Sequence, residues 1–189
     1  MLLMGTELFT GNTMVVVSVR DKMVTLLQML KNWVLVYFGN MVGSVLGAMC
    51  MYYSGQYSFN GGALAVYTIK TAAAKSALAF GPALVLGILC NVLVCLGVLC
   101  SLTAADTTGR ILGAYIPVVL FVIGGFEHCV ANMYYIPAGL LALANPQYAG
   151  LAAAAGIDVS SLTMGGFAAN LLPVTLGNII GGAGIATLL

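Results

Sequence analysis

Apolar residues fill this chain in stretches far longer than one face of a water-soluble helix, and short polar clusters cut those stretches apart. The hydrocarbon core of a bilayer takes about 20 apolar residues per helix, so the cuts define candidate spans. Met1 to Val19 is apolar but interrupted at Gly5-Thr6-Glu7, which predicts a half-helix entered from irregular backbone and ended by Arg20-Asp21-Lys22. Met23 to Leu30 has apolar spacing without the length to span, and reads as a linker or short surface helix. Asn32 to Tyr53 is the first full span, with Trp33 at its start and Tyr52-Tyr53 at its end in aromatic-belt positions. Ser54 to Thr71, rich in Gly, Ser and Tyr, reads as a loop carrying Lys70, and a second span is expected from Leu78 to Ala105. After a turn at Asp106 to Arg110, a third span starts near Ile111, breaks between Gly124 and His128, and ends at Asn145-Pro146. Pro146 to Met164 reads as a loop in which Asp158-Val159-Ser160-Ser161 resembles a helix start, and Gly165 to Leu189 is the last span.

Composition turns these spans into a class. Of the 189 residues 61% are hydrophobic and 6% charged, against about 25% charged in an ordinary soluble domain. A water-facing surface cannot be made from that, so the chain is read as an all-α polytopic membrane protein. Its 24 glycines lie within the apolar runs, as where membrane helices pack backbone to backbone. The net charge of +1 offers no footprint for nucleic acid. Cys90, Cys95 and Cys100 recur every five residues and gather on no helix face, and one histidine cannot complete a Cys/His zinc set. The cysteines read as small buried apolar residues, and no cofactor or metal is implied. Arg20, Lys22, Lys31 and Arg110 fall on one side of the spans and only Lys70 and Lys75 on the other. The richer side, with loop 20–31 and turn 106–110, is expected in the cytoplasm.

Candidate chemistry sits in the break of the third span, Gly124-Gly125-Phe126-Glu127-His128-Cys129-Val130-Ala131-Asn132, which holds the chain's single histidine beside a carboxylate. Ionisable groups at mid-membrane cost about 2.5–3.5 kcal/mol or more and are kept where they line a cavity or a permeation path. The paired glycines let the helix open its backbone there. A buried, satisfied structural histidine is the competing reading of His128. Glu127 is expected to turn away from such a path and cap backbone N–H groups freed by the break, as Glu7 would in the first break.

An internal repeat connects the two breaks. Asn32, Gly39-Asn40 and Gly43 share a spacing with Asn170, Gly177-Asn178 and Gly181, offset by 138 residues. Each set follows a broken helix, and an odd number of spans per repeat would make the halves antiparallel, the inverted-repeat plan of many transporters. The second half has a whole span before its break and the first half has none, so an N-terminally incomplete bundle is expected, short of roughly 50–80 residues upstream.

Five ordered motifs now resemble one family. Gly5-Thr6-Glu7-Leu8-Phe9-Thr10, Asn32-Trp33 with Tyr37-Phe38-Gly39-Asn40, Gly87-Ile88-Leu89-Cys90-Asn91, Gly125-Phe126-Glu127-His128 with Ala131-Asn132, and Asn170 through Asn178 are similar to those of the formate/nitrite transporters. The resemblance covers nearly the whole chain as a single transmembrane channel domain, 1–189, and lacks the family's first helix and the first half of the second. It implies an aquaporin-like bundle with two broken helices, assembled as a homopentamer with a pore in each protomer. It also implies a central His128 facing Thr10, apolar constrictions at Leu8 and Phe121, and an entry lysine at Lys75, sixteen residues before Asn91. Asn91, Asn132 and Asn170 stand where the family places polar groups near the pore. Lys75 as a snorkelling lysine, and Leu8 and Phe121 as plain core residues, remain alternatives.

The function so implied is a channel in the cytoplasmic membrane for small monovalent weak-acid anions: formate or nitrite first, hydrosulfide as the alternative. Lys75 and half-helix N-termini would concentrate anions at the outer mouth. The apolar step would raise the acid's pKa, and His128 with Thr10 would supply a hydrogen bond or proton so that a neutral species crosses, with pH setting the pore's state. An embedded hydrolase using His128 and Glu127 lacks any HExxH or GxSxG motif. A non-transporting scaffold is the third class, separable by flux.

Overall fold

The computed structural model describes residues 5–188; the expected apolar start at Met1 to Met4 lies outside them. Among the described residues the regular structure is all helical. In chain order it comprises α1 (Phe9–Asn12), a 3-10 turn (Thr13–Val15), α2 (Val16–Arg20), α3 (Leu26–Tyr53), a 3-10 turn (Gln56–Ser58), α4 (Phe59–Ser76), α5 (Phe80–Thr103), α6 (Thr107–Ile123), α7 (Cys129–Leu143), α8 (Pro146–Ala154) and α9 (Met164–Thr187). Helices α3, α5 and residues Met164–Ile185 of α9 are long and apolar enough to cross a membrane, while α6 and α7 are the two shorter apolar helices on either side of the break. Leu35, Phe38, Val42 and Leu46 on α3 and Tyr115, Ile116, Leu120 and Ile123 on α6 are exposed. Apolar surface on this scale belongs in lipid: this is a membrane protein.

Several boundaries differ from those the hydrophobic pattern suggests. The first long helix starts at Leu26, so the supposed linker Met23 to Leu30 is largely its first turn, and loop 20–31 shrinks to the residues before Leu26. The cause is a capping box. Thr25 Oγ1 accepts from the Gln28 N–H at 3.2 Å, and Gln28 Oε1 accepts from the Thr25 N–H at 2.8 Å. Ser54 to Thr71 is mostly helix rather than loop. Asn60, Gly61 and Gly62 take left-handed φ of 51°, 65° and 90°, and the alanine-rich stretch after them carries α4 to Ser76. Pro146 to Met164 contains α8, started by Pro146 after an Asn145 cap whose side chain accepts from the Gln147 N–H. Asp158 caps no helix: it accepts from the Ser160 N–H at 2.9 Å in a local turn, and α9 is capped by Thr163, whose Oγ1 accepts from the Gly166 N–H at 3.0 Å. Turn 106–110 is Asp106 capping α6, with Thr107 onward already helical. Trp33 lies within α3, and its indole N–H donates to the Asn12 carbonyl at 2.9 Å, so it serves the first half-helix as a hydrogen-bond partner.

The chain divides into two compact units, each described by itself. The first contains residues 5–40, 81–130 and 173–188. Its helices meet through glycine: a Cβ on Gly177 would collide with the Leu84 carbonyl oxygen, one on Gly181 with the Ile88 carbonyl oxygen, and one on Gly113 would press on the Cys100 backbone. Backbone cannot swing aside as a side chain can, so α5 packs on α9 and α6 at distances only glycine permits. The repeat-related Gly39 and Gly43 on α3 meet no neighbour within 4 Å. The second unit contains 41–80 and 131–172. Its core is Ala65, Ile69, Ala72, Met133 and Ile136, with Tyr57 buried between the rings of Tyr52 and Tyr148.

Candidate functional site

The break between α6 and α7 ends α6 in a Schellman turn. The Phe126 N–H reaches back to the Phe121 carbonyl at 3.0 Å and the Gly125 N–H to the Val122 carbonyl at 3.2 Å, with Gly125 left-handed at φ 66°. The chain then runs without regular structure through Phe126, Glu127 and His128 before α7 starts at Cys129. Gly5 has the matching φ of 67°, and residues 5–8 are likewise irregular before α1. In both places a glycine in the left-handed region permits the turn that an L side chain would strain.

Opening a helix leaves backbone N–H and C=O groups without their ladder partners, each costing several kcal/mol in lipid. One device answers this in both breaks. Asn178 Oδ1 accepts from the Cys129 N–H at 2.9 Å, while its Nδ2 donates to the Glu127 carbonyl at 3.0 Å and the Gly87 carbonyl at 2.8 Å. Asn40 Oδ1 accepts from the Phe9 N–H at 2.9 Å, and its Nδ2 donates to the Glu7 carbonyl at 3.2 Å. Each asparagine therefore brackets one residue, His128 in one loop and Leu8 in the other. The correspondence extends further. Asn12 Nδ2 donates to Asn32 Oδ1 at 2.9 Å, and Asn132 Nδ2 to Asn170 Oδ1 at 2.7 Å. Tyr37 and Thr175, themselves 138 residues apart, place their hydroxyls 3.0 Å from each other. Two equivalent positions in contact are what a pseudo-twofold axis passing between them produces.

Within the first unit the expected pore residues come together. Thr10 and His128 are buried, with Thr10 Oγ1 3.0 Å from His128 Nε2. In one tautomer the hydroxyl donates to the ring; in the other, and in the imidazolium, Nε2–H donates to the hydroxyl. The Phe121 ring stacks on the imidazole, centroids 5.5 Å apart and planes 12° from parallel. Asn91 Nδ2 donates to the Thr10 carbonyl at 3.0 Å, to Thr13 Oγ1 at 3.0 Å and to the Asn178 carbonyl. Thr13 Oγ1 donates in turn to the Thr10 carbonyl at 2.7 Å. Gly182 leaves room for this group, since a Cβ there would overlap Thr13 Oγ1. Leu8 is partly exposed at the start of α1.

Lys75, Asn132 and Asn170 form a second group, in the second unit. Asn170 Nδ2 donates to the Lys75 carbonyl at 2.8 Å, and the Lys75 ammonium stands 5.6 Å over the Tyr135 ring. Asn170 thus braces the last turn of α4, from which the ammonium projects onto an aromatic face that favours a cation.

Expectations from the sequence change for Glu7 and for two of the cysteines. Among the described residues Glu7 turns to side chains rather than backbone N–H groups: its Oε2 accepts from the side-chain amides of Asn12 and Asn32, each at 2.8 Å. Glu127 is buried, its N–H donating to the Leu86 carbonyl at 3.4 Å. Cys90, Cys95 and Cys129 are buried, as expected of apolar fillers, but Cys50 and Cys100 are exposed. Asn40, Asn178, Thr13, Gly182 and Tyr135 had not been singled out by their chemistry. For the two asparagines a signal existed in the repeat, where each sits in the same Gly-Asn pair.

Broken helices with a buried polar pair between them stand on an apolar membrane scaffold. The chain belongs to the formate/nitrite transporter family, whose model matches residues 1–189. It is 39% identical over 181 residues to the formate channel FocA of Escherichia coli (strain K12), covering 94% of this chain and 64% of that protein. It is 37% identical over 183 residues to the formate channel BtFdhC of Bacillus thuringiensis, covering 96% of this chain and 63% of the relative. Among solved structures it resembles a pentameric formate channel with formate bound, with TM-score 0.84 and 31% identity over 99% of this chain and 74% of that one. The chain thus spans about two thirds of the length of these curated relatives. The relatives named here are channels.

Proposed function

We propose that this chain forms the pore-bearing part of a channel that passes formate, and with it other small monovalent weak-acid anions such as nitrite or hydrosulfide, across the cytoplasmic membrane as a homopentamer with an aquaporin-like fold. The observation that carries the reading is the buried Thr10–His128 pair, held between two helix breaks with Phe121 stacked over the ring. Similarity to FocA and to a pentameric channel with formate bound favours formate and five subunits.

Lys75 attracts the anion by long-range field. Leu8 and Phe121 make the apolar step, where loss of solvent disfavours the charged form. At the centre the imidazolium form of His128 can donate a proton or hydrogen bond to the carboxylate, and Thr10 holds the ring as it cycles. Asn91 fixes the Thr10 loop, while Asn132 and Asn170 support Lys75.

The test is anion flux by the full protein in proteoliposomes, with formate, nitrite and hydrosulfide in parallel from acidic to alkaline pH. Formate flux abolished or stripped of its pH dependence in His128→Ala supports the reading. Flux of none of the three would make the protein a non-transporting scaffold.

A further inference from the structure

We infer that Asn178 is a positioning residue for His128, and that Asn40 is its repeat counterpart at Leu8, so that one asparagine clasp used twice sets the two positions of the pore that differ most in chemistry. The inference rests on the proposed pore role of His128. Asn178 grips the peptide groups on both sides of His128, through the Glu127 carbonyl and the Cys129 N–H, and its third bond, to the Gly87 carbonyl, anchors it on α5. The backbone of His128 is thereby fixed, and the direction of its Cα–Cβ bond with it. Asn91 closes the ring by donating to the carbonyls of both Asn178 and Thr10. Both partners of the 3.0 Å Thr10–His128 contact thus hang from one buried circuit. Hydrogen bonds weaken steeply with a few tenths of an ångström or a poor angle, so loss of the clasp is felt at the imidazole.

The repeat supplies an internal control. Asn40 makes the same two bonds around Leu8, a residue with no proton to exchange. A clasp that served folding alone would have the same consequences in both halves. Glu127 and Cys129 flank His128 in the chain; the elements around it also carry Glu7 before α1, Lys31 and Tyr37 on α3, Cys90, Cys95 and Cys100 on α5, and Arg110 and Tyr115 on α6. Free thiols and phenols are ordinarily neutral at pH 7, and Glu7 is held by the side-chain amides of Asn12 and Asn32, so Glu127 is the carboxylate adjacent to the ring in the chain.

The experiment compares wild type, Asn178→Ala, Asn178→Ser and Asn40→Ala in the full protein. One readout is formate flux against pH in proteoliposomes. The other is the imidazole titration by NMR on histidine-labelled protein, the signal identified by its loss in His128→Gln. Both midpoints should move by about half a pH unit or more in Asn178→Ala, and by less in Asn178→Ser, which retains one short donor and acceptor. Asn40→Ala should lower flux and leave both midpoints in place. Equal midpoints in all four proteins overturn the inference. So does failure of both Asn178 variants to fold, which would make the clasp a folding element and no more. A wild type that carries no formate defeats the proposed function instead, and the ring titration still judges the clasp.

Discussion

His128 and Leu8 occupy the same bracketed place in the two halves, yet only one of them can carry a proton. Replacing His128 by Asn keeps a hydrogen-bonding group near Thr10 and removes the titration, so the pH dependence of flux should flatten while assembly, judged by size in detergent, survives. A variant that follows the wild-type pH profile would show that the imidazole is structural. Lys75 is only partly buried, and in the proposed channel it would act at a distance. Lys75→Ala should lower anion entry, Lys75→Arg should be milder, and Lys70→Ala should be tolerated, with the Lys75 effect shrinking as salt screens the field over a Debye length of about 8–10 Å. Equal losses at Lys70 and Lys75 would mean that the surface is only diffusely basic. Asp158 shows the sign of a local effect outside the spans. The Ser160 N–H holds its carboxyl below the ordinary carboxylate value, so the turn's small contribution is full above that ordinary value and lost as pH falls through the lowered one.

At the scale of elements, glycines decide how closely helices approach. Gly177→Ala drives a methyl into the backbone of α5 at Leu84 and Ile88, and overpacking of this kind costs about 1–3 kcal/mol or more. Gly150→Ala, exposed in α8 with no neighbour within 4 Å, should instead stabilise by up to about 1 kcal/mol through helix propensity. Thermal unfolding in detergent should place the two on opposite sides of wild type. Much at this scale was legible in the sequence. The break at Gly124 to His128 stood out because paired glycines and two ionisable groups interrupt an apolar run. The long spans stood out because a membrane leaves them no alternative. The start of α3 was readable too, in the Thr25-x-x-Gln28 box, but the apolar spacing on either side obscured it. Helix α4 was hidden for a physical reason: three left-handed residues at its start give it the composition of a loop. The clasps were hidden differently. The Asn-x6-Gly-Asn-x2-Gly spacing was visible, but nothing local says that an asparagine side chain reaches a backbone 33 or 51 positions away.

For the whole molecule, the repeat and the charge distribution together predict how the protein sits in its membrane. Orientation is set by lysine and arginine in short loops, with acidic residues counting for little, so the ion pair between Arg20 and Asp21 at 3.1 Å does not cancel Arg20. Arg20 and Lys22 flank the turn before α3, and Arg110 lies in the first turn of α6. On the opposing side Lys75 is helical and partly sheltered against Tyr135, which leaves Lys70 as the exposed basic residue of α4. The balance favours the 20–25 turn and the start of α6 in the cytoplasm, with the turn at Asp158 to Ser160 outside. Single cysteines at Met23 and Ser160, in a background with the exposed Cys50 and Cys100 changed to Ser, would read this out with a membrane-impermeant maleimide. Ser160→Cys should label in intact cells, and Met23→Cys only after permeabilisation. The opposite pattern would invert the orientation, and in the proposed channel Lys75 would then favour anions leaving the cell rather than entering it.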